Sequence, residues 1–197
     1  YGMGIAVNLY LEDWSNGMIH SPPIRVRYDG CPELWTDPTF HDSRYAGDPQ
    51  SRQYVCFLLR DDPALSGCPV RFHAHNDYDL AVANVMAAVK AGVHGIHTTI
   101  NGLGERAGNA PLSSVIAVLN DQIKTPNGVV ERRINHVSRV VETYTGVHIP
   151  ANKPVVGENV FTQCAGIHAD GDNKDNLYYN DLLPERFGRV REYALGK

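Results

Sequence analysis

The sequence predicts an α/β protein with a parallel sheet, from three features. Short apolar runs rich in β-branched residues alternate with helical patterns along residues 71–123. Glycine-rich turns separate these runs, and polar side chains stand where the predicted strands end. A strand, helix, strand, loop, helix order implies parallel strands with helices outside, and sites at the strand ends. A barrel and a doubly wound sheet both satisfy this order.

The composition excludes several classes of function. The 197 residues are 43% hydrophobic and 20% charged, with a formal charge of −4. Such a chain is typical of a soluble globular protein without the basic surface that nucleic acids require. No apolar run approaches the roughly 18–20 residues of a membrane span, and no signal-peptide pattern opens the chain. We expect a cytoplasmic protein, with no membrane partner and its four cysteines reduced.

The elements follow in order from the N-terminus. "GIAVNLYLED" predicts a buried strand that ends at Glu12, and residues 79–91 predict a helix closed by Gly92. "VHGIHTTI" predicts the next strand, followed by the glycine-rich loop "NGLGERAGNA". A second helix begins near Pro111, since proline is common in a first helical turn.

The pattern changes after Lys124, so we predict a boundary between 1–124 and 125–197. In the second part, "RRINHVSRVVETYTG" predicts a helix. Its inward positions are predicted to be Ile134, Val137, Val140 and Val141.

Residues 24–70 fit no regular element. This segment holds five of the twelve prolines and three of the four cysteines, and no period of 2 or 3.6 runs through it. A structureless stretch of this length is unusual inside a compact α/β domain. We predict irregular, poorly packed structure here.

The stretch "RFHAHNDYDL" suggests a metal site. In a strand, side chains alternate between faces, so His73 and His75 point to the same side. Neutral imidazole nitrogens bind Zn²⁺, Mn²⁺ and related ions. The alternative is a pair of polar residues at a strand end with no ligand.

The glycine-rich loop that follows the next strand is predicted to lie beside this pair. Asn101, Glu105 and Asn109 offer side-chain oxygens, and the glycines allow a ligand to approach the backbone. The loop is neither a Walker A sequence nor a good GxGxxG motif, which disfavours phosphate binding. Alternatively, it is only a tight turn between a strand and a helix.

The segment from "FHAHND" to "INGLGERAGNAPLSSV" resembles the α-isopropylmalate synthase family, which includes homocitrate and citramalate synthases. "LYLEDWSNG" and "GENVFTQCAGIHADG" resemble further motifs of that family. The resemblance implies a partial (β/α)₈ TIM barrel, with later strands only, and an appended helical subdomain. It also implies condensation of acetyl-CoA with a 2-oxo acid around a divalent metal (Mn, Mg or Zn), and a homodimer for the full-length protein.

The resemblance implies roles for individual residues. The metal ligands would be His73, His75 and Asn109. Asn101 and Glu105, whose oxygens lie in the same loop, are predicted to bind the substrate. Glu12 would lie near the reacting groups as a catalytic residue. His168 would help to deprotonate the acetyl methyl group, a task suited to a histidine near neutral pKa.

Two motifs of the family do not occur in this sequence. The first-strand pattern D-x-x-x-R-D supplies a metal-binding aspartate and an arginine, and the sixth strand ends in P-D-T-x-G. Both ends therefore look truncated, and we expect the fragment to be inactive. Codons for 41–51, "HDSRYAGDPQS", can be chosen so that a shifted frame reads MIPDTLGILNP. We hypothesise that residues 24–70 are translated from a shifted frame.

The resemblance implies a fragment of a 2-isopropylmalate synthase-like enzyme that uses 2-oxoisovalerate in leucine biosynthesis. Homocitrate synthase, citramalate synthase, a related lyase and an inactive remnant are the alternatives. A metal-dependent hydrolase is the alternative from a different class, and "GERAGN" argues against it.

Overall fold

The computed structural model describes residues 8–12, 33–37, 70–175 and 181–194. The chain divides into two units, Tyr1–Val115 and Ile116–Lys197. This division falls inside the helix that begins at Leu112, and the domain boundary predicted after Lys124 stays a prediction. The second half of that helix is therefore grouped with the C-terminal unit. No helix in the described ranges is long and apolar enough to cross a membrane.

The first unit contains a four-stranded parallel sheet. Its strands are β1 (Asn8–Glu12), β2 (Glu33–Asp37), β3 (Val70–His73) and β4 (Gly95–His97). They lie side by side in chain order, and every neighbouring pair is parallel. Doubly wound sheets reverse their strand order at a switch point, whereas barrels keep it. The order therefore favours a barrel segment, and barrel closure stays a prediction.

Strand β2 corrects part of the prediction for residues 24–70. Irregular structure was predicted throughout, yet Glu33–Asp37 forms a strand that pairs with β1 on one side and β3 on the other. The sequence "ELWTD" lacks a clean alternation, so the prediction missed a short strand whose neighbours supply its pairing. The rest of the segment, up to residue 69, lies outside the described residues.

Helix α1 (Ala81–Ala91) connects β3 to β4 and confirms the predicted helix. Its buried side chains are mostly small, which suits close packing of a helix on a sheet; they are Ala81, Asn84, Val85 and Ala88. Gly92 ends the helix with φ 99°, and its amide donates to the carbonyls of Ala88 and Val89. Glycine adopts this left-handed conformation without a steric cost.

Helix α2 (Leu112–Val118) begins beside Pro111 as predicted, and it continues as a π-helical turn over Leu119–Ile123. Lys124 ends the turn in the left-handed region, at φ 57°. The observed strand, helix, strand, loop, helix order of residues 70–123 confirms the predicted succession.

Helix α3 (Glu131–Thr145) confirms the next predicted helix but not its buried face. Ile134 is buried as predicted, together with Ser138. Val137 and Val140 are 38% and 39% exposed, so their predicted inward orientation is wrong. Ile134 and Ser138 are four residues apart and therefore share one stripe of the helix, while the two valines lie to its side.

A stacked pair of phenylalanines lies in the core of the second unit. Phe161 and Phe187 stack with ring centroids 6.2 Å apart, and Phe187 is fully buried. Phe187 ends a short 3₁₀ helix, Pro184–Phe187. The remaining elements are β5 (Thr162–Gln163), helix α4 (Gly166–Asp175) and β6 (Glu192–Tyr193), with β5 and β6 parallel.

Arg186 joins two carboxylates of the second unit. Its guanidinium donates to Glu131 at 2.6 and 3.0 Å and to Asp121 at 2.6 Å. The hydrogen bonds from Arg186 hold the pKa of Glu131 below its ordinary value of 4.5, against the opposing effect of burial. The contacts with Glu131 also raise the pKa of Arg186. This network ties the start of α3 to the 3₁₀ helix.

Replacing Arg186 by Met is expected to lower the free energy of unfolding at pH 7 by about 1.5–3 kcal/mol, because two partly buried carboxylates lose a charged partner. Since the folded pKa of Glu131 is depressed, its contribution is present above about pH 4.5 and is lost as the pH falls through the folded value. Urea denaturation should therefore show a weaker acid dependence in Arg186→Met. Lys174→Met, which removes an exposed pair with Asp170, should change stability much less. Equal losses in the two variants would contradict this assignment.

Gly157 lies where a side chain cannot fit. A Cβ there would stand 2.5 Å from the carbonyl oxygen of Ala151 and 2.6 Å from the amide nitrogen of Lys153. We expect Gly157→Ala to cost about 1–3 kcal/mol in thermal or urea denaturation, because the backbone of the turn must shift. Gly128→Ala is the matched control, since no atom of the described part of the chain lies within 4 Å of its added Cβ. If Gly157→Ala leaves the stability unchanged, this turn is not tightly packed.

Candidate metal site

The end of β3 presents two imidazoles to one side of the sheet. Phe72 and Ala74 are buried at 3% and 1% exposure, and His73 and His75 alternate with them. The two imidazole ring centroids are 5.0 Å apart with the planes at 76°. The alternation predicted from the sequence therefore brings these rings together. His75 is buried, while His73 is partly exposed.

The glycine-rich loop returns to the end of β3 through backbone hydrogen bonds. The amide of Asn76 donates to the carbonyl of Gly108 at 2.9 Å, and the amide of Ala110 donates to Ala74 at 3.1 Å. Between these bonds, His75 and Asn109 form an antiparallel bridge. Residues 34 positions apart in sequence are thus neighbours, as the metal-site prediction requires.

The carboxamide of Asn109 is fixed in one orientation. Its Nδ2 donates to the carbonyl of Leu103 at 3.2 Å, and its backbone amide donates to Gly102 at 3.0 Å. The side-chain oxygen Oδ1 is buried and has no hydrogen-bond partner among the described residues. An unsatisfied buried oxygen is costly, and a bound cation would satisfy it.

Two glycines leave the space that this carboxamide occupies. A Cβ on Gly104 would lie 2.8 Å from Cγ of Asn109 and closer still to its Nδ2. Gly108 has φ 89°, and a Cβ there would meet the carbonyl oxygen of Gly102. The loop can therefore close around Asn109 only with glycine at these positions.

Asp77 and Arg106 hold the loop from its outer side. Arg106 donates from Nε at 3.0 Å and from Nη2 at 3.3 Å to the two carboxylate oxygens of Asp77. The Asp77 side chain is only 6% exposed, and Arg106 has φ 53°, in the left-handed region. A bidentate ion pair of this kind restricts the geometry of both partners. Asp77, which follows the two histidines in sequence, thus pairs with the loop.

The other predicted site residues are placed less tightly. Asn101 lies in the loop with φ 59° and is half-buried, whereas the side chain of Glu105 is 84% exposed. Glu12 ends β1, and its side chain lies outside the described residues. His168 lies in the first turns of α4, in the second unit, and is exposed. The catalytic roles of Glu12 and His168 stay predictions.

Sequence reasoning missed His97. Its Nδ1 lies 3.3 Å from Nδ1 of His73, because the two residues are partners in the parallel register of β3 and β4. Both strands end in histidine in the sequence, and aligning their ends would have paired the two rings. No pattern within either strand reveals this contact.

The residues present fit a divalent cation. Imidazole nitrogens and a carboxamide oxygen are donors that Zn²⁺ and Mn²⁺ accept, and Asn109 offers its oxygen with the amide nitrogen already engaged. Within the described ranges, no group of three His, Cys, Asp or Glu side chains is arranged to hold a metal ion. The candidate set is therefore two imidazoles and a carboxamide.

Comparison with known proteins identifies the family of this chain. Residues 49–141 match the HMGL-like family. The chain is 48% identical over 125 residues to a protein named (R)-citramalate synthase in Methanopyrus kandleri, and 44% identical over 143 residues to one named 2-isopropylmalate synthase in Ignicoccus hospitalis. It is 37% identical over 156 residues to a homocitrate synthase of Methanocaldococcus jannaschii. The chain belongs to this synthase family.

The extent of these matches is partial. They cover 64%, 73% and 79% of this chain, which spans 25%, 35% and 38% of the three relatives. The family match begins at residue 49 and so includes part of the segment assigned to a shifted reading frame. That hypothesis stays a prediction, and sequencing the DNA would test it.

A solved structure supports the fold. The structure of an HMG-CoA lyase from Acinetobacter baumannii, in complex with coenzyme A and 3-methylmalate, matches with a TM-score of 0.50 and 19% identity. The match covers 74% of this chain and 43% of that one. At this identity the likeness supports the α/β fold alone.

Replacing Arg106 by Gln is expected to loosen the loop. The buried Asp77 carboxylate would lose its charged partner, at a cost of about 1–3 kcal/mol in the free energy of unfolding. Hydrogen exchange at the amides of Gly108 and Asn109 should accelerate, because these amides close the loop. Glu105→Gln is the neighbouring control, because its exposed carboxylate lies 3.8 Å from Arg106. Unchanged exchange in Arg106→Gln would contradict the proposed restraint.

Proposed function

We propose that the protein containing this chain condenses acetyl-CoA with a 2-oxo acid around a divalent cation bound by His73, His75 and Asn109. The observation that carries the proposal is the close approach of the His73 and His75 rings at the end of β3, where the backbone of His75 forms a bridge with Asn109. The synthase names of the relatives support the reaction class. Because the chain spans only part of these relatives, the activity is assigned to the whole protein.

Each residue has a defined task in this proposal. His73 and His75 offer ring nitrogens, and Asn109 offers Oδ1 while Leu103 holds its amide nitrogen. When bound, the cation supplies charge that polarises the 2-oxo carbonyl and stabilises negative charge on its oxygen. Asn101 and Glu105, in the loop beside Asn109, are proposed to bind the substrate.

Glu12 and His168 are proposed to act on the acetyl group. A neutral imidazole at His168 can accept a proton from the acetyl methyl group, which a thioester makes weakly acidic. Glu12 ends a strand of the same parallel sheet as His73, and the ends of parallel strands are where α/β proteins place their sites.

The proposed 2-oxo acid is 2-oxoisovalerate, which makes the reaction that of a 2-isopropylmalate synthase in leucine biosynthesis. Citramalate and homocitrate synthases are the alternatives that the relatives' names favour. We propose a homodimer for the whole protein. We expect the 197-residue chain to release no thiol from acetyl-CoA, because it lacks the D-x-x-x-R-D aspartate and arginine.

Calorimetry with the 197-residue chain tests the substrate class. We expect 2-oxoisovalerate to bind in the presence of Mn²⁺ and to bind at least tenfold more weakly without it. Pyruvate and 2-oxoglutarate, offered in the same way, report which 2-oxo acid the site prefers. Binding of 2-oxo acids that is independent of the cation would contradict the proposal.

Gly104→Ala tests the role of Asn109 without removing it. The added Cβ must displace the carboxamide, so we expect the affinity for Mn²⁺ to fall by about 10–100-fold, as it does when residues that orient ligands are changed. Asn109→Ala should give a similar loss. Gly128→Ala should give none, since its Cβ meets no atom of the described residues within 4 Å.

Wild-type affinity in both Gly104→Ala and Asn109→Ala would exclude Asn109 as a ligand. Circular dichroism of each variant separates a local displacement of the carboxamide from a failure to fold.

A further inference from the structure

A third imidazole meets the pair at the end of β3. His73 and His97 are Cα partners in adjacent parallel strands, so their side chains leave the same face of the sheet. The two Nδ1 atoms are 3.3 Å apart, and the ring centroids are 5.4 Å apart with planes at 80°. The Nδ1 atoms therefore face each other at the long end of hydrogen-bonding distance.

A contact between two Nδ1 atoms links the protons of both rings. A neutral imidazole carries one N–H and one bare nitrogen, so one Nδ1 must donate and the other must accept. If Nδ1 of His73 donates, Nε2 of His73 is unprotonated and can bind a cation. If His73 accepts, its Nε2 carries the proton and cannot bind a cation. Use of His73 Nε2 as a ligand thus requires His97 to be the acceptor.

We propose that His97 is a positioning residue whose Nδ1 accepts the Nδ1 proton of His73 and keeps Nε2 of His73 bare for the cation. This inference rests on the proposed function and adds the residue that sets the state of one ligand. Carboxylates and backbone carbonyls commonly hold metal-binding histidines in this way. Here an imidazole on the neighbouring strand does so, and the strand register fixes its position.

Nitrogen NMR of the cation-free, full 197-residue chain tests the proton arrangement directly. The expected spectrum shows His73 protonated at Nδ1 and His97 protonated at Nε2. Assignment of the His73 resonances follows from their loss in His73→Gln. A His73 ring protonated at Nε2 would overturn the proposal, and this result requires no variant of His97.

Two substitutions at His97 test its effect on the ligand. His97→Leu removes the acceptor, so we expect the affinity for Zn²⁺ to fall by about 10–100-fold. We also expect His73 to become a mixture of two tautomers, one protonated at Nδ1 and one at Nε2. His97→Asn restores an acceptor oxygen near the position of Nδ1 and should recover most of the affinity. The proposal would be overturned if His97→Leu bound Zn²⁺ with wild-type affinity, or if His97→Leu and His97→Asn lost the same amount of affinity.

The response to Zn²⁺ separates this inference from the proposed function. We expect Nε2 of His73 to take the shift of a cation-bound nitrogen while the His97 nitrogens do not. A cation-bound shift at His97 would make it a ligand and overturn the positioning role. If the wild-type chain binds no Zn²⁺, the proposed function fails, whereas the proton arrangement of the cation-free chain still decides the role of His97.

Discussion

The candidate site depends on the return of the glycine-rich loop to the end of β3. Two backbone hydrogen bonds, from Asn76 to Gly108 and from Ala110 to Ala74, bracket the bridge between His75 and Asn109. Backbone hydrogen bonds fix position more firmly than side-chain contacts, because few torsion angles separate them from the fold. Main-chain hydrogen bonds therefore determine the positions of the proposed cation ligands His75 and Asn109.

The loop residues follow from this constraint. Gly104 and Gly108 remove the side chains that would collide with Asn109 and with the backbone of Gly102. The ion pair of Asp77 and Arg106 holds the outer side of the loop at the cost of a left-handed backbone at Arg106. Strain of this kind persists where surrounding contacts determine the conformation, and it is common at functional sites. The GERAGN motif thus shapes the loop and also supplies a proposed metal ligand.

The sequence predicted the parts of the structure that local periodicity controls. The period of two placed His73 and His75 on one side, and the helical period with Gly92 placed α1. Two features were missed because they depend on pairing between strands, which no pattern within a single strand reveals: the contact of His97 with His73, and the strand at Glu33–Asp37. The buried face of α3 was misjudged because apolar side chains were assumed to point inward, whereas packing buries Ser138 and exposes Val137.

Two imidazoles and one carboxamide are proposed to bind the same cation, and pulsed electron paramagnetic resonance of bound Mn²⁺ can detect the imidazole ligands. We expect magnetic coupling of the manganese to two imidazole nitrogens. One coupling should disappear in His73→Gln and the other in His75→Gln, while His168→Gln leaves both unchanged. Mn²⁺ without imidazole coupling, or couplings that persist in both variants, would contradict the account.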